Sequence, residues 1–72
     1  MKEIKLAENL RRARRAKKIS QCQLADMLGV DQRTVSAWEH RVAEPNLETI
    51  AKLCDIFDET FDSMISDRTK TP

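Results

Sequence analysis

The sequence predicts an all-α fold of five short helices, and three observations lead to that fold class. Apolar residues recur at spacings of three and four, and no stretch alternates with a period of two. Side chains that favour helix N-termini precede four of the five predicted helices. A length of 72 residues leaves room for a single small domain. We expect this domain to span residues 1–66, followed by a flexible C-terminal tail at residues 67–72.

The first helix is predicted near residues 3–17, and its segment carries most of the positive charge. Its apolar stripe, at spacings of four and three, consists of Leu6, Leu10 and Ala13. Residues 1–20 hold eight basic and two acidic side chains, whereas residues 43–72 hold three basic and seven acidic ones, although the net charge is only +1. This asymmetry indicates either a surface that meets an anion on one side or simply a solvated, arginine-rich first helix.

Two short helices joined by a single glycine-containing turn are predicted at residues 21–40. The second helix follows Ser20, which forms a capping-box pattern with Gln23, and it ends at Gly29. The third helix follows Asp31 and runs to about residue 40. The predicted inward residues are Leu24, Ala25 and Leu28 in the second helix and Val35 and Trp38 in the third. Because helices this short are unstable alone in water, we predict a helix-turn-helix unit packed against the other helices.

Two further helices are predicted in the acidic C-terminal half of the chain. Pro45 interrupts the chain, Asn46 caps the fourth helix, and Thr60 caps a short fifth helix. The expected inward residues of the fourth helix are Leu47, Ile50, Leu53, Cys54 and Phe57. The fifth helix carries Phe61, Met64 and Ile65. We expect Phe61 and Met64 to belong mainly to the core, with part of this surface left for contact with a second copy.

The outward face of the third helix differs from an ordinary solvated helix face, because it has no Glu/Lys pairs. The residues turned away from Val35 and Trp38 are Arg33, Ser36, Ala37 and His40, with Gln32 at the N-terminal shoulder. Arginine binds the guanine edge, glutamine binds the adenine edge, and an alanine methyl contacts the thymine methyl. The face therefore suits the reading of base edges. The alternative is a polar surface without a binding role.

Arg14 and Glu39 are predicted to form a partly buried ion pair. On helical wheels, Glu39 lies close to the inward side of the third helix and Arg14 lies beside the apolar stripe of the first. A carboxylate in that position is costly without a cationic partner. The pair would brace the first helix against the third. The alternative is that Glu39 leans into solvent.

Composition argues against several classes of function. Two cysteines and one histidine cannot complete a four-ligand zinc site or a catalytic constellation, and a single glycine leaves little room for a phosphate-binding loop. We therefore expect no enzyme activity, no metal or cofactor and no small-molecule ligand. No apolar run approaches the length of about 18 residues that spans a membrane, and we expect a cytoplasmic protein without a membrane partner. Cys54 is expected in the core and Cys22 on the surface, without a disulfide.

A set of short motifs extends over about residues 4–65. These are Ile19-Ser20-Gln21, Leu24-Ala25, Leu28-Gly29-Val30, Thr34-Val35-Ser36, Trp38-Glu39 and Pro45-Asn46-Leu47-Glu48-Thr49-Ile50. Together they resemble the XRE family of helix-turn-helix regulators, which includes the lambda-repressor-like and Cro-like proteins of phages. The resemblance implies a five-helix lambda-repressor-like DNA-binding domain whose third helix enters the major groove of DNA.

The resemblance also implies roles for individual residues. Base contacts fall on Gln32, Arg33, Ser36 and Ala37. Phosphate contacts fall on Gln21 and Thr34, and the charged residues Arg11, Arg15, Lys17, Lys18, His40 and Arg41 are candidates to add to them. The pair that matches Arg14 and Glu39 is a recurrent salt bridge in the family. Two departures stand out, because Arg41 replaces a helix-ending glycine, and Ala43 and Glu44 replace likely phosphate contacts.

Two functions are compatible with these observations. The first is a sequence-specific regulator that binds double-stranded DNA, most simply a repressor, acting as a homodimer on an inverted repeat and of bacterial or phage origin. The second is a protein-interaction module of the same fold, such as an antitoxin or a regulator-binding subunit. The first is the leading hypothesis and the second is the alternative, which the acidic C-terminal half and the weak basic character of residues 41–44 support.

Overall fold

The computed structural model describes residues 5–66, which form the predicted all-α arrangement and contain no strand. Its five helices are α1 (Leu6–Ala16), α2 (Gln21–Leu28), α3 (Gln32–Glu39), α4 (Leu47–Phe57) and α5 (Phe61–Ile65). The first helix begins at Leu6 rather than at residue 3, because Lys5 is already its non-helical N-cap. The predicted tail at 67–72 lies outside the described residues. None of the five helices is both long and apolar enough to cross a membrane.

Side-chain caps determine where α2 to α5 begin. Ser20 accepts a hydrogen bond from the Gln23 N–H at 3.0 Å, and the Gln23 side chain accepts one from the Ser20 N–H at 2.8 Å, which completes the predicted capping box. The side chains of Asp31, Asn46 and Thr60 accept hydrogen bonds from N–H groups in the first turns of α3, α4 and α5. These oxygens satisfy helix N–H groups that have no intrahelical partner.

The first four helices end in the same backbone arrangement. One residue at positive φ is followed by a residue whose N–H donates to the carbonyl five residues earlier, as Val30 does to Ala25 at 3.0 Å. The residues at positive φ are Lys18 (60°), Gly29 (74°), Arg41 (63°) and Asp58 (55°). Of these four, only glycine adopts the left-handed region without a Cβ penalty. Arg41, which replaces a helix-ending glycine, therefore adopts a mildly strained left-handed conformation.

The hydrophobic core lies where all five helices meet. Its buried members are Leu6, Leu10, Leu24, Ala25, Val35, Trp38, Ile50, Leu53, Cys54, Phe57 and Met64. The prediction of burial is wrong for two residues, since Leu47 is 71% exposed and Phe61 is 44% exposed. Each is the first residue of its helix. Helical side chains lean towards the helix N-terminus. In α4 and α5 this carries the first side chain past the edge of the core, whereas Leu6 at the start of α1 stays buried. Cys22 is exposed, as expected.

Candidate nucleic-acid interface

A buried ion pair holds α3 against α1. The Arg14 Nε lies 2.7 Å from Glu39 Oε2, and the second guanidinium nitrogen lies 3.1 Å from Oε1. The side chains are 12% and 1% exposed, respectively. Arg14 also donates to the Ile19 carbonyl at 2.9 Å, at the entry to α2. The predicted pair is confirmed, and its bidentate geometry fixes both oxygens of the carboxylate.

The surroundings of Glu39 keep its carboxylate charged. Burial is the largest single influence on its pKa and acts to raise it. Hydrogen bonds from Arg14 and Gln21, together with the positive charges of Arg14 and Arg11, outweigh burial and place the pKa of Glu39 below its ordinary value. At neutral pH, the Glu39 side chain is therefore an anion that can only accept hydrogen bonds.

Two glutamines connect this buried anion to the protein surface. The Gln21 Nε2 donates to Glu39 Oε1 at 3.0 Å. The Gln32 Nε2 donates to Gln21 Oε1 at 2.7 Å. Gln32 is the first residue of α3 and is exposed. A continuous chain of hydrogen bonds thus runs from the core to the N-terminal end of the outer face of α3.

The outer face of α3 brings together the four predicted base-contacting residues. Gln32 and Arg33 are exposed, and Ser36 and Ala37 are half-buried. The Arg33 side chain is 89% exposed and lies 3.5 Å from the Asp31 carboxylate. Such an exposed pair contributes little to stability, so Arg33 can exchange it for another acceptor at small cost.

The N-terminal end of α2 has the properties of an anion site. Arg15, Lys17 and Lys18 are exposed and stand in the chain just before this helix. The first N–H groups of a helix have no carbonyl partner within it, and the helix dipole is positive there. The Gln21 side chain is turned towards Glu39 and Gln32, so its backbone N–H remains the simpler phosphate donor. Phosphate contacts at this end of α2 and at the half-buried Thr34 stay predictions.

Three other predicted phosphate contacts lie at the C-terminal end of α3. Arg11 donates to the Glu39 carbonyl at 3.2 Å. The Nδ1 of His40 lies 2.8 Å from the Ser36 carbonyl, which requires a proton on that nitrogen. Arg41 pairs with Glu8 at 3.6 Å. Each of these side chains therefore has a partner within the domain, and phosphate contacts by them stay predictions.

Asn9, whose role was not predicted from the sequence, attaches α5 to α1. The residue is 1% exposed, and its Nδ2 lies 2.7 Å from the Met64 carbonyl and 2.6 Å from that of Ser66. A signal was present, because Asn9 stands on the apolar stripe between Leu6 and Leu10. A buried polar side chain needs hydrogen-bond partners. The partners of Asn9 lie more than 50 residues further along the chain, and no local sequence pattern identifies them.

Comparison with known proteins identifies the family. A family model described as "Helix-turn-helix" matches residues 10–64. The chain belongs to the helix-turn-helix family. It is 32% identical over 59 residues to the uncharacterized HTH-type transcriptional regulator YqaE of Bacillus subtilis, covering 82% of this chain and 51% of that protein. It is 34% identical over 58 residues to the HTH-type transcriptional regulator AnsR of the same species, covering 81% and 50%.

A third relative is the HTH-type transcriptional activator BcrR of Enterococcus faecalis, with 34% identity over 59 residues, covering 82% of this chain and 29% of that protein. The chain therefore spans about half, or less, of the length of these curated relatives. This helix-turn-helix domain belongs to a class of DNA-binding transcription regulators and not to a class of enzymes.

Solved structures agree with the family assignment. The P22 c2 repressor in complex with a synthetic operator matches with a TM-score of 0.77 and 32% identity, covering 83% of this chain and 91% of that one. A transcriptional regulator from Listeria innocua matches with a TM-score of 0.84 and 27% identity, covering 88% and 59%. The resemblance to XRE-type, lambda-repressor-like proteins is thus confirmed.

Proposed function

We propose that this helix-turn-helix domain recognises a specific sequence of double-stranded DNA by placing α3 in the major groove, most simply as a repressor. The observation that carries the proposal is the contrast between the two sides of α3. Val35, Trp38 and Glu39 are buried on the inner side, whereas the outer side presents Gln32 and Arg33. A rigidly held helix with exposed hydrogen-bonding groups suits base recognition. A regulator of bacterial or phage DNA would act in the cytoplasm.

Phosphate contacts would set the register of the domain on DNA. The N-terminal end of α2 supplies unpaired N–H groups, and Arg15 and Lys18 supply nearby positive charge. Such contacts raise affinity for every sequence and make binding sensitive to salt. Base contacts by Gln32 and Arg33 would then decide which sequence is bound. Ser36 and Ala37, further along α3, would add smaller contacts to the neighbouring bases.

A homodimer on an inverted repeat would let two copies of α3 read successive major grooves, about 34 Å apart. Phe61, which is 44% exposed at the start of α5, and the half-buried Ile65 offer apolar surface for such a contact. Sedimentation of the chain with and without its operator tests this proposal. A Phe61→Ser variant is expected to shift the dimer towards monomer, and Leu47→Ser is the matched control. A monomer at high micromolar concentration, even on operator DNA, would rule out the dimer.

The decisive experiment is selection from a randomised duplex library at two salt concentrations. Enrichment of an inverted repeat is the expected result. On the selected operator, Gln32→Ala and Arg33→Ala should each lose about 1–3 kcal/mol of binding energy and relax the preference at one base position. Arg15→Ala should instead weaken binding to all sequences and reduce the salt dependence. Lys52→Ala, which removes an exposed charge from α4, is the control.

A protein-interaction module is the second candidate function. Ala43 and Glu44 are exposed at positions where a DNA contact would favour basic residues. The segment from α4 to α5 carries five carboxylates, which are Glu48, Asp55, Asp58, Glu59 and Asp62. A basic partner protein would suit that segment. Library selection separates the two candidates, since a module of this kind would give only weak, salt-sensitive binding without enrichment of any sequence.

A further inference from the structure

We propose that Glu39 is a positioning residue for base recognition, because its charge decides which edge of the Gln32 amide faces DNA. The result is a preference for adenine over guanine at the base that Gln32 reads. This inference rests on the proposed function, since it concerns the base contact of Gln32. It goes further by assigning the choice of base to a side chain that is 1% exposed and does not itself reach the DNA-facing surface of α3.

The direction of each hydrogen bond in the network follows from the carboxylate. A carboxylate only accepts hydrogen bonds, so Gln21 must turn its NH₂ group towards Glu39, at 3.0 Å. The Gln21 carbonyl oxygen then faces the opposite way and can only accept. Gln32 must therefore use one of its two Nε2 hydrogens to donate to that oxygen, at 2.7 Å. No other arrangement of the two amides satisfies both contacts.

This arrangement leaves Gln32 with one N–H and its carbonyl oxygen for an outside partner. In the major groove, adenine presents the N7 acceptor beside the N6 donor, whereas guanine presents two acceptors, N7 and O6. A carbonyl oxygen beside an N–H complements adenine at both atoms. Opposite guanine, the amide oxygen would meet O6, acceptor against acceptor. The orientation that Glu39 imposes thus selects adenine and rejects guanine.

Arg14 protects this orientation from reversal. Its two contacts, at 2.7 and 3.1 Å, fix both oxygens of the Glu39 carboxylate. They also favour its ionised form, in keeping with the lowered pKa of Glu39. An uncharged Glu39 would carry a hydroxyl that could donate to Gln21 and permit the reverse arrangement. The buried ion pair therefore maintains the polarity of the whole network.

Glu39→Gln is the direct test, because it keeps the shape of the side chain and removes its charge. The new amide oxygen is expected to keep the closer contact, with the Nε of Arg14. The new NH₂ then takes the place of Oε1, loses the 3.1 Å hydrogen bond from the second Arg14 nitrogen, and points to Gln21. Gln21 then reverses, and Gln32 accepts from it instead of donating. Both Nε2 hydrogens of Gln32 would face DNA, where they suit the two acceptors of guanine.

The measured quantity is the ratio of affinities for two operators that differ only in adenine or guanine at the position sensitive to Gln32→Ala. A good two-bond contact gives the wild type a ratio of about 5- to 150-fold. We expect Glu39→Gln to lower this ratio at least about fivefold, which is the smallest discrimination that one good two-bond contact provides. The ratio compares two duplexes with one protein sample, so any unfolded fraction cancels.

Gln21→Ala is the second variant, and it settles the question if Glu39→Gln does not fold. It interrupts the network without removing the ion pair, and it too should lower the ratio. Asn9→Ala is the matched control, because it weakens the attachment of α5 and touches neither glutamine. Its ratio should equal that of the wild type.

The possible results separate this inference from the function on which it rests. If Gln32→Ala abolishes the preference at one base while Glu39→Gln and Gln21→Ala keep the wild-type ratio, positioning by Glu39 is wrong and the proposed function stands. If the wild type enriches no sequence, both are wrong. A lowered ratio in the two network variants, with Asn9→Ala unchanged, supports the inference.

Discussion

Arg14→Ala would leave the Glu39 carboxylate buried without its cation, and the cost can be worked from the contacts. Removing one partner of a buried pair costs about 3–5 kcal/mol. Gln21 would still donate to Glu39, which places the expected loss near the lower limit, at about 3 kcal/mol. A domain of 72 residues has a free energy of unfolding of about 4–11 kcal/mol. This single truncation should therefore remove a large share of the stability.

Urea denaturation followed by tryptophan fluorescence measures the loss. Trp38 is the one tryptophan in the sequence and is 6% exposed, so its emission reports the opening of the core. In thermal unfolding, a loss of about 3 kcal/mol should lower Tm by about 12–24 °C for a domain of this size. Arg15→Ala is the matched control, because Arg15 stands next to Arg14 in the chain and its side chain is exposed. It should change stability by less than about 0.5 kcal/mol.

The pH dependence of the same variant gives an independent check. The pKa of Glu39 is lower in the folded protein than in the unfolded chain, so the pair stabilises the fold above about pH 4.3. That contribution is lost as the pH falls through the folded pKa. The difference between wild type and Arg14→Ala should be largest at neutral pH and should shrink in acid. A difference below about 1 kcal/mol at pH 7, or one that does not vary with pH, would refute the buried pair.

Four further substitutions test other parts of the fold by urea denaturation. Gly29→Ala should cost about 1–2 kcal/mol from backbone strain alone, because φ is 74° and no atom lies within 4 Å of the added Cβ; a neutral result would contradict the left-handed turn. Asn9→Ala should cost about 1–3 kcal/mol by leaving buried carbonyls unsatisfied, and a loss no larger than that of an exposed residue would count against the attachment of α5. Leu53→Ala should cost about 2–5 kcal/mol, whereas Leu47→Ala should change stability by less than about 0.5 kcal/mol; equal losses would restore Leu47 to the core.

The features that were predicted correctly depend on residues close together in sequence or on helical periodicity. The Ser20–Gln23 capping box and the turn at Gly29 each involve a few consecutive residues, whose preferences follow from local geometry. The Arg14–Glu39 pair spans 25 residues, yet it could be predicted. Each charge lies beside an apolar stripe, so packing of the two stripes against each other brings the opposite charges close together.

The features that were missed depend on how the helices are arranged in space. The hydrogen bond between Gln21 and Gln32 requires the specific approach of α2 to α3, which no periodicity describes. The exposure of Leu47 and Phe61 depends on where the core ends beyond the first turn of a helix. Leu6, which also begins a helix, is buried, so membership of an apolar face does not by itself decide burial at the first residue of a helix.

The attachment of α5 through Asn9 has a consequence for local opening of the domain. The hydrogen bonds involved join residues 54 to 57 positions apart in the chain, so they form only when the two ends of the described segment have met. A five-residue helix has no stability of its own. We therefore expect α5 to detach from α1 before the rest of the domain unfolds, and amide hydrogens of α5 should exchange with solvent before those of α2 and α3.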